Sequence, residues 1–200
     1  TIGDKEPDLI AQPVVLDGKT LCLLKKHYQY VQLARGPLID AHGWSHLETQ
    51  GVADWELPAS VTGAAAVIEG DRRRLVVATR EGSAFALGIS REGQLAGKPI
   101  PVRLPGLTEC TSLAWFGGRL LAAGSGEVIV YEPTGANGWE EVSRLRALGS
   151  GALFIHSDGV RLAVSDTAGG RVHLLDSLTS KSASYDGLAS PGPIAVAGER

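Results

Sequence analysis

Arg74-Leu-Val-Val-Ala-Thr-Arg-Glu-Gly-Ser-Ala-Phe-Ala-Leu87, Arg119-Leu-Leu-Ala-Ala-Gly-Ser-Gly-Glu-Val-Ile-Val-Tyr131 and Arg161-Leu-Ala-Val-Ser-Asp-Thr-Ala-Gly-Gly-Arg-Val-His-Leu-Leu175 line up with one another. Each reads Arg-Leu, a short apolar strand, a glycine-bearing turn and a second strand. The last aligned positions, Leu87, Tyr131 and Leu175, follow one another at intervals of 44 residues. A fixed period of this size is the length of a unit of four short strands, so the chain is read as all-β and built from tandem units.

Upstream of each hairpin lies another apolar run closed by a turn. These are Ala64-Ala-Ala-Val-Ile before Gly70-Asp71, Ser112-Leu-Ala-Trp-Phe before Gly117-Gly118, and Ala152-Leu-Phe-Ile-His before Asp158-Gly159. Glycine and aspartate accept the positive φ that tight hairpins need, so these runs are innermost strands. Residues 75–78, 120–123 and 162–164 become central strands, each paired antiparallel with the strand after it. Downstream, residues 98–104, 139–145 and 182–185 are polar enough for outer edges, where Pro99 and Pro101 are tolerated.

The first unit is more diverged: Gln12-Pro-Val-Val-Leu, Asp17-Gly18, Leu21-Cys-Leu-Leu, then Tyr28-Gln-Tyr-Val-Gln-Leu33. Val31 precedes Leu87 by 56 residues, more than one period, which places an insertion within residues 34–57, expected as a surface loop. At the other end, Pro193-Ile-Ala-Val-Ala-Gly-Glu-Arg200 repeats the start of an innermost strand. A lone strand leaves an open edge, to be covered by a companion chain or by this chain's own residues 8–11. The organisation expected is one domain with units 8–57, 58–105, 106–148 and 149–190 and a partial strand in 191–200. That is a β-propeller-like array of about four four-stranded antiparallel blades, either a portion of a larger propeller or a four-blade ring.

Composition narrows the partners. The net charge is −3, and the single basic run, Arg72-Arg73-Arg74, falls at a hairpin, so no nucleic-acid partner is expected. Apolar stretches such as residues 64–68 fall far short of the roughly 18 to 20 residues that span a bilayer, so a soluble protein with no membrane partner is expected. Cys22 and Cys110 permit at most one bridge, and buried free thiols are the simpler reading. The chain has no methionine and starts at Thr1, which reads as a processed product or, preferably, a piece of a longer protein. Its compartment is left open, with the cytoplasm favoured.

The segment Thr111-Ser-Leu-Ala-Trp-Phe-Gly-Gly-Arg-Leu-Leu-Ala-Ala-Gly-Ser-Gly-Glu-Val-Ile-Val-Tyr-Glu-Pro-Thr-Gly135 resembles a bacterial WD-repeat blade. Ser157-Asp-Gly-Val-Arg-Leu-Ala-Val-Ser-Asp through Leu174-Leu-Asp176 is similar to another, and Gly93-Gln-Leu-Ala-Gly-Lys-Pro-Ile100 resembles the connector between such blades. The resemblance covers roughly residues 60 to 200 and implies a propeller that serves as an interaction module. Tyr131-Glu132 and Leu175-Asp176 stand where the family has Trp-Asp, and Gly-His pairs are missing at the blade starts. A lactonase-like or lyase-like propeller is therefore the neighbouring alternative.

The densest polar group lies in the insertion: Asp40, His42, His46 and Glu48, with Trp44 and Trp55. His42 and His46 are four apart, a metal-ligand spacing on a helix, but Gly43 and Gly36-Pro37 argue for a loop, and no metal or cofactor is expected. Exposed aromatic and imidazole side chains suit a protein-recognition patch instead. His156, Ser157 and Asp158 name a hydrolase triad but are consecutive, and no nucleophile elbow, phosphate loop or dinucleotide fingerprint occurs. Cys110, Thr111 and Ser112 have no histidine tied to them, and Thr1 as an amino-terminal nucleophile belongs to a different, helix-containing fold. The expectation is a non-catalytic interaction scaffold or sensor segment whose partner is another protein chain. Its alternative is an enzyme or small-ligand binder using the central channel, with Asp166, His156 and His173 as polar candidates.

Overall fold

The computed structural model describes residues 61–90, 95–135, 137–146 and 148–194, together with strand segments 14–17, 20–25, 30–39 and 45–51. Every regular element among them is a strand. Blade 1 consists of β1 (Val14–Asp17), β2 (Thr20–Lys25), β3 (Tyr30–Ile39) and β4 (Ser45–Gly51). Blade 2 consists of β5 (Val61–Glu69), β6 (Arg72–Thr79), β7 (Ala84–Ile89) and β8 (Leu95–Val102). Blade 3 follows with β9 (Ser112–Phe116), β10 (Arg119–Ala123), β11 (Val128–Thr134) and β12 (Gly138–Leu145). Blade 4 closes the series with β13 (Leu153–Ser157), β14 (Leu162–Asp166), β15 (Arg171–Ser177) and β16 (Ser180–Tyr185). Each is an antiparallel meander in chain order, and the central and edge strands expected from the repeat stand where they were placed.

Register follows a rule across the blades. The second and third strands pair without interruption in all four, whereas the third and fourth carry a bulge in all four, for example between Val130 and Tyr131. A bulge adds local twist and leaves the outer edge a poor template for further strands. In blade 1 the bulge lies between Arg35 and Leu38, so β3 continues through Gly36-Pro37. Proline fits there because a bulged residue gives up its ladder bond. The surplus residues expected in a surface loop therefore include the end of β3 and all of β4.

Stacking explains why the central strands are apolar on both faces. Leu120, Leu121, Ala122 and Ala123 of β10 are all fully buried. Leu120 and Ala122 pack toward blade 2, with Val76, Ala78 and Leu104. Their alternates Leu121 and Ala123 pack toward blade 4, with Leu153, Ile155 and Val164. Each fully buried leucine contributes about 1.5–3 kcal/mol by removal from water.

Between blades the innermost strands lie close. A Cβ on Gly63 would stand 2.9 Å from the Leu113 nitrogen, so β5 and β9 meet at a position that only glycine allows. Hydroxyls latch both seams: Thr62 Oγ1 donates to the Cys110 carbonyl at 2.5 Å between blades 2 and 3, while between blades 3 and 4 Thr111 Oγ1 donates to the Leu153 carbonyl and Ser112 Oγ accepts from the Ile155 amide at 2.8 Å. Connectors sit on the second turn of the blade before them. Cys110 N donates to Arg80 O at 3.0 Å, Gly126 N to Gly151 O at 2.8 Å, and Leu188 N to Gly170 O at 2.9 Å. Contacts run from β1 to β5, β5 to β9 and β9 to β13; among the described residues β13 and β1 share none of that extent. Residues 8–11 and 195–200 lie outside the described residues.

Candidate functional site

Of the polar group expected in the first unit, Asp40, His42, Trp44 and Trp55 lie outside the described residues. His46 and Glu48 stand in β4, in register with Leu38 and Arg35, on a strand rather than the expected loop. Both positions are of one parity along β4.

Of the channel candidates of the enzyme alternative, Asp166 and His173 face one connector and His156 lies on the opposite face of the blade. His173 is buried in β15, where Nε2 lies 3.0 Å from the Leu148 carbonyl and Nδ1 lies 3.1 Å from Ser184 Oγ. A carbonyl only accepts, so Nε2 donates to Leu148. Asp166, at the end of β14 and 2% exposed, abuts Gly149 and Gly169 so closely that a Cβ on either would collide with its carboxylate. His173 thereby ties the connector at Leu148 to blade 4, while the Asp166 carboxylate packs on Gly149 with its Oδ1 buried and without a hydrogen bond. His156 projects from β13 on the opposite side to Leu153 and Ile155, which pack on blade 3. Burial lowers its pKa, against the pull of Asp158.

Along the inner strands the ionisable residues are Asp17 in β1, Glu69 in β5 and His156 in β13. Glu69 is already ion-paired with Arg74. No group of three or more histidine, cysteine, aspartate or glutamate side chains able to hold a metal occurs among the described residues. Cys110 is buried, and burial pushes its thiol up to about 12, so it carries no thiolate at neutral pH. A cavity of about 60 Å³ is lined by Leu107, Glu109, Gly124 and Glu127 among others. Ligand pockets run to roughly 300–1,000 Å³, so this one has room for a water or two and no substrate.

The repeated arginine proves to have a role that its spacing did not disclose. Arg74 pairs with Glu69, Arg119 Nε donates to Glu132 at 2.8 Å, and Arg161 stands over Asp158. Burial raises the Asp158 carboxyl, but the backbone amides of Arg161 and Val160 and the Arg161 charge outweigh it and hold it below its ordinary value. These arginines thus face carboxylates in blades 2, 3 and 4. Arg74 also lies 5.3 Å from the centroid of the Trp139 ring, which Trp115 meets edge-on at 6.3 Å and 80°. Because β6, β9 and β12 each supply one member, nothing local in the sequence announces this cluster. With Arg74 and Trp139 both buried, it closes the seam between blades 2 and 3.

No family model matches the sequence, and no curated protein matches it. Solved structures do match. The WD40 domain of Neurospora crassa Pan2 superposes with a TM-score of 0.51 at 12% identity, over 88% of this chain and 51% of that one. A chain of the mitotic checkpoint complex gives 0.55 at 14%, over 90% and 52%. The glutaminyl cyclase of Myxococcus xanthus gives 0.50 at 15%, over 84% and 66%. The chain thus spans about half to two thirds of the length of these neighbours, whose likeness at such identities shows the fold alone. In fold, the chain is built as the blades of a β-propeller.

Proposed function

We propose that the chain is a non-catalytic interaction scaffold, a segment of a larger propeller assembly that binds a protein partner through its first unit and through an open blade edge. The observation that carries this reading is where the ionisable side chains sit. His173 ties a connector into the seam between blades 3 and 4, the buried Asp166 packs against that connector, and Arg74 and Arg119 are engaged in ion pairs within their blades. The inner strands β5, β9 and β13 are mostly apolar, with alanine their commonest residue, and apolar walls without converging acids and bases suit packing rather than catalysis. Neighbours of the same fold include a member of the mitotic checkpoint complex and one of a nidogen/laminin complex, which supports protein partnership at a coarse level.

In this reading Asp40, His42, Trp44, His46, Glu48 and Trp55 form the recognition patch, with Trp44 as its aromatic anchor. Cross-linking of the 200-residue chain in a cell extract, followed by affinity measurement on the captured protein, tests it. Cross-links should concentrate on residues 34–57, and Trp44→Ala should weaken binding by about fivefold or more, the ~1 kcal/mol at which an anchor counts. Unchanged affinity would remove the patch. Turnover of a small substrate that is lost in His156→Ala would favour the enzyme alternative.

A further inference from the structure

The chain has one asparagine, Asn137, and a glycine follows it. Asn137 stands exposed in the turn that joins β11 to β12, and no hydrogen bond among the described residues holds its side-chain amide. Gly138 is fixed by packing: a Cβ there would lie 2.5 Å from both the carbonyl oxygen and Oγ1 of Thr134. The backbone nitrogen after the asparagine therefore belongs to a residue with no side chain to shield it. Asparagine is a thermally labile residue, and its side chain reacts with the amide that follows it.

Asp158-Gly159 and Asp186-Gly187 offer related chemistry, and both are held. At the first, Asp158 Oδ1 accepts from the Val160 amide at 2.9 Å and from the Arg161 amide at 2.7 Å, while the Gly159 amide donates to Ser157 Oγ at 2.9 Å. At the second, the Asp186 carboxylate pairs with Arg171 Nε at 3.0 Å. An ionised carboxylate also resists nucleophilic attack, whereas the carboxamide of Asn137 is neutral.

We propose that Asn137-Gly138 is a site of spontaneous deamidation and isoaspartate formation, and that the rearrangement loosens the seam between blades 2 and 3. The Gly138 nitrogen attacks Asn137 Cγ. The new N–Cγ bond closes a succinimide ring, the Cγ–Nδ2 bond breaks, and the side-chain nitrogen leaves as ammonia with the proton of the attacking amide. One water then opens the ring at either carbonyl. Opening at Cγ leaves aspartate; opening at the backbone carbonyl leaves isoaspartate, whose chain runs through Cγ with one additional backbone carbon. Either product adds a negative charge beside Glu132 and Glu140, which already face each other across the hairpin. The additional carbon acts on the register as well. Gly138 pairs with Thr134 and Trp139 with Pro133, so it displaces the strand just ahead of Trp139, the buried ring that Arg74 and Trp115 meet in the seam.

The 200-residue chain, kept at neutral pH both folded and in urea, is followed by mass spectrometry of the peptide that carries Asn137. The folded chain is expected to gain the mass difference between a carboxamide and a carboxylic acid at this peptide, faster as pH rises because the attacking amide must lose its proton. Enzymatic methylation of isoaspartate should label the same peptide. Asn137→Gln, which would have to close a six-membered ring, should gain no mass over the same period. A folded chain still unmodified when the unfolded chain has converted would overturn the proposal, because the turn would then protect the asparagine. The seam is read separately, by urea unfolding of the converted chain against Asn137→Asp, which carries the charge on an unaltered backbone. The converted chain should lose at least about fivefold in folding constant relative to that variant; coincident unfolding curves would overturn the link to the seam. Neither result bears on the first-unit patch, which is judged by Trp44→Ala.

Discussion

Blade 3 and blade 4 share a strand order and a register, and they differ in their neighbours. Val130 in β11 and Leu174 in β15 occupy the same place in the two sheets, yet the first is fully buried and the second is half-buried. Leu145 and Tyr185 repeat the contrast at the outer strand. Residue type does not account for the first contrast, since leucine is at least as apolar as the valine it replaces. A blade becomes a core element by being stacked on both sides, and its stability is largely a nearest-neighbour property, as in other repeat proteins.

The sharpest way to break the comparison is a charge inside blade 3. Leu120→Asp places an unpaired carboxylate between Val76 and Leu104, at a cost of several kcal/mol against a total stability of roughly 5 to 15, and should unfold the domain. Melting at the parent's temperature would show that β10 is not core. A gentler pair compares the equivalent sites: Val130→Ala should cost about 1–3 kcal/mol in urea unfolding, and Leu174→Ala less than half as much despite losing a larger side chain. Equal losses would mean that blade 4 is as well covered as blade 3.

The smallest effect concerns pH and the seam at Cys110. The thiol titrates near 9 when unfolded and near 12 in the fold, so between these values the unfolded chain has released a proton that the folded chain retains. Stability is therefore full below about pH 9 and falls as pH rises toward 12. At pH 10 the loss is about 1 kcal/mol. Urea midpoints at pH 8 and pH 10 should diverge more in the parent than in Cys110→Ala; identical divergence would remove Cys110 as the source.

The repeat was legible because its physics is local: a hairpin needs a turn residue and two apolar runs, and all three lie within about fifteen residues of each other. The arginine at the start of each second strand was visible as well, but its acids were not, since Glu69, Glu132 and Asp158 come from different places in their blades. Blade 1 was misread at Gly36-Pro37, two residues that signal a loop unless a bulge absorbs them. Asp166 and His173 looked like channel chemistry because sequence shows polarity without direction. The connector at Leu148 and Gly149, which bonds His173 and packs on Asp166, lies some twenty residues away.

Hydrogen exchange resolved by residue tests the nearest-neighbour account most directly, because it compares the two blades in one molecule. The β10 and β11 amides of blade 3 should exchange only through global unfolding, whereas those of β15 and β16 should also exchange through local opening, and faster. Equal protection across blades 3 and 4 would contradict it.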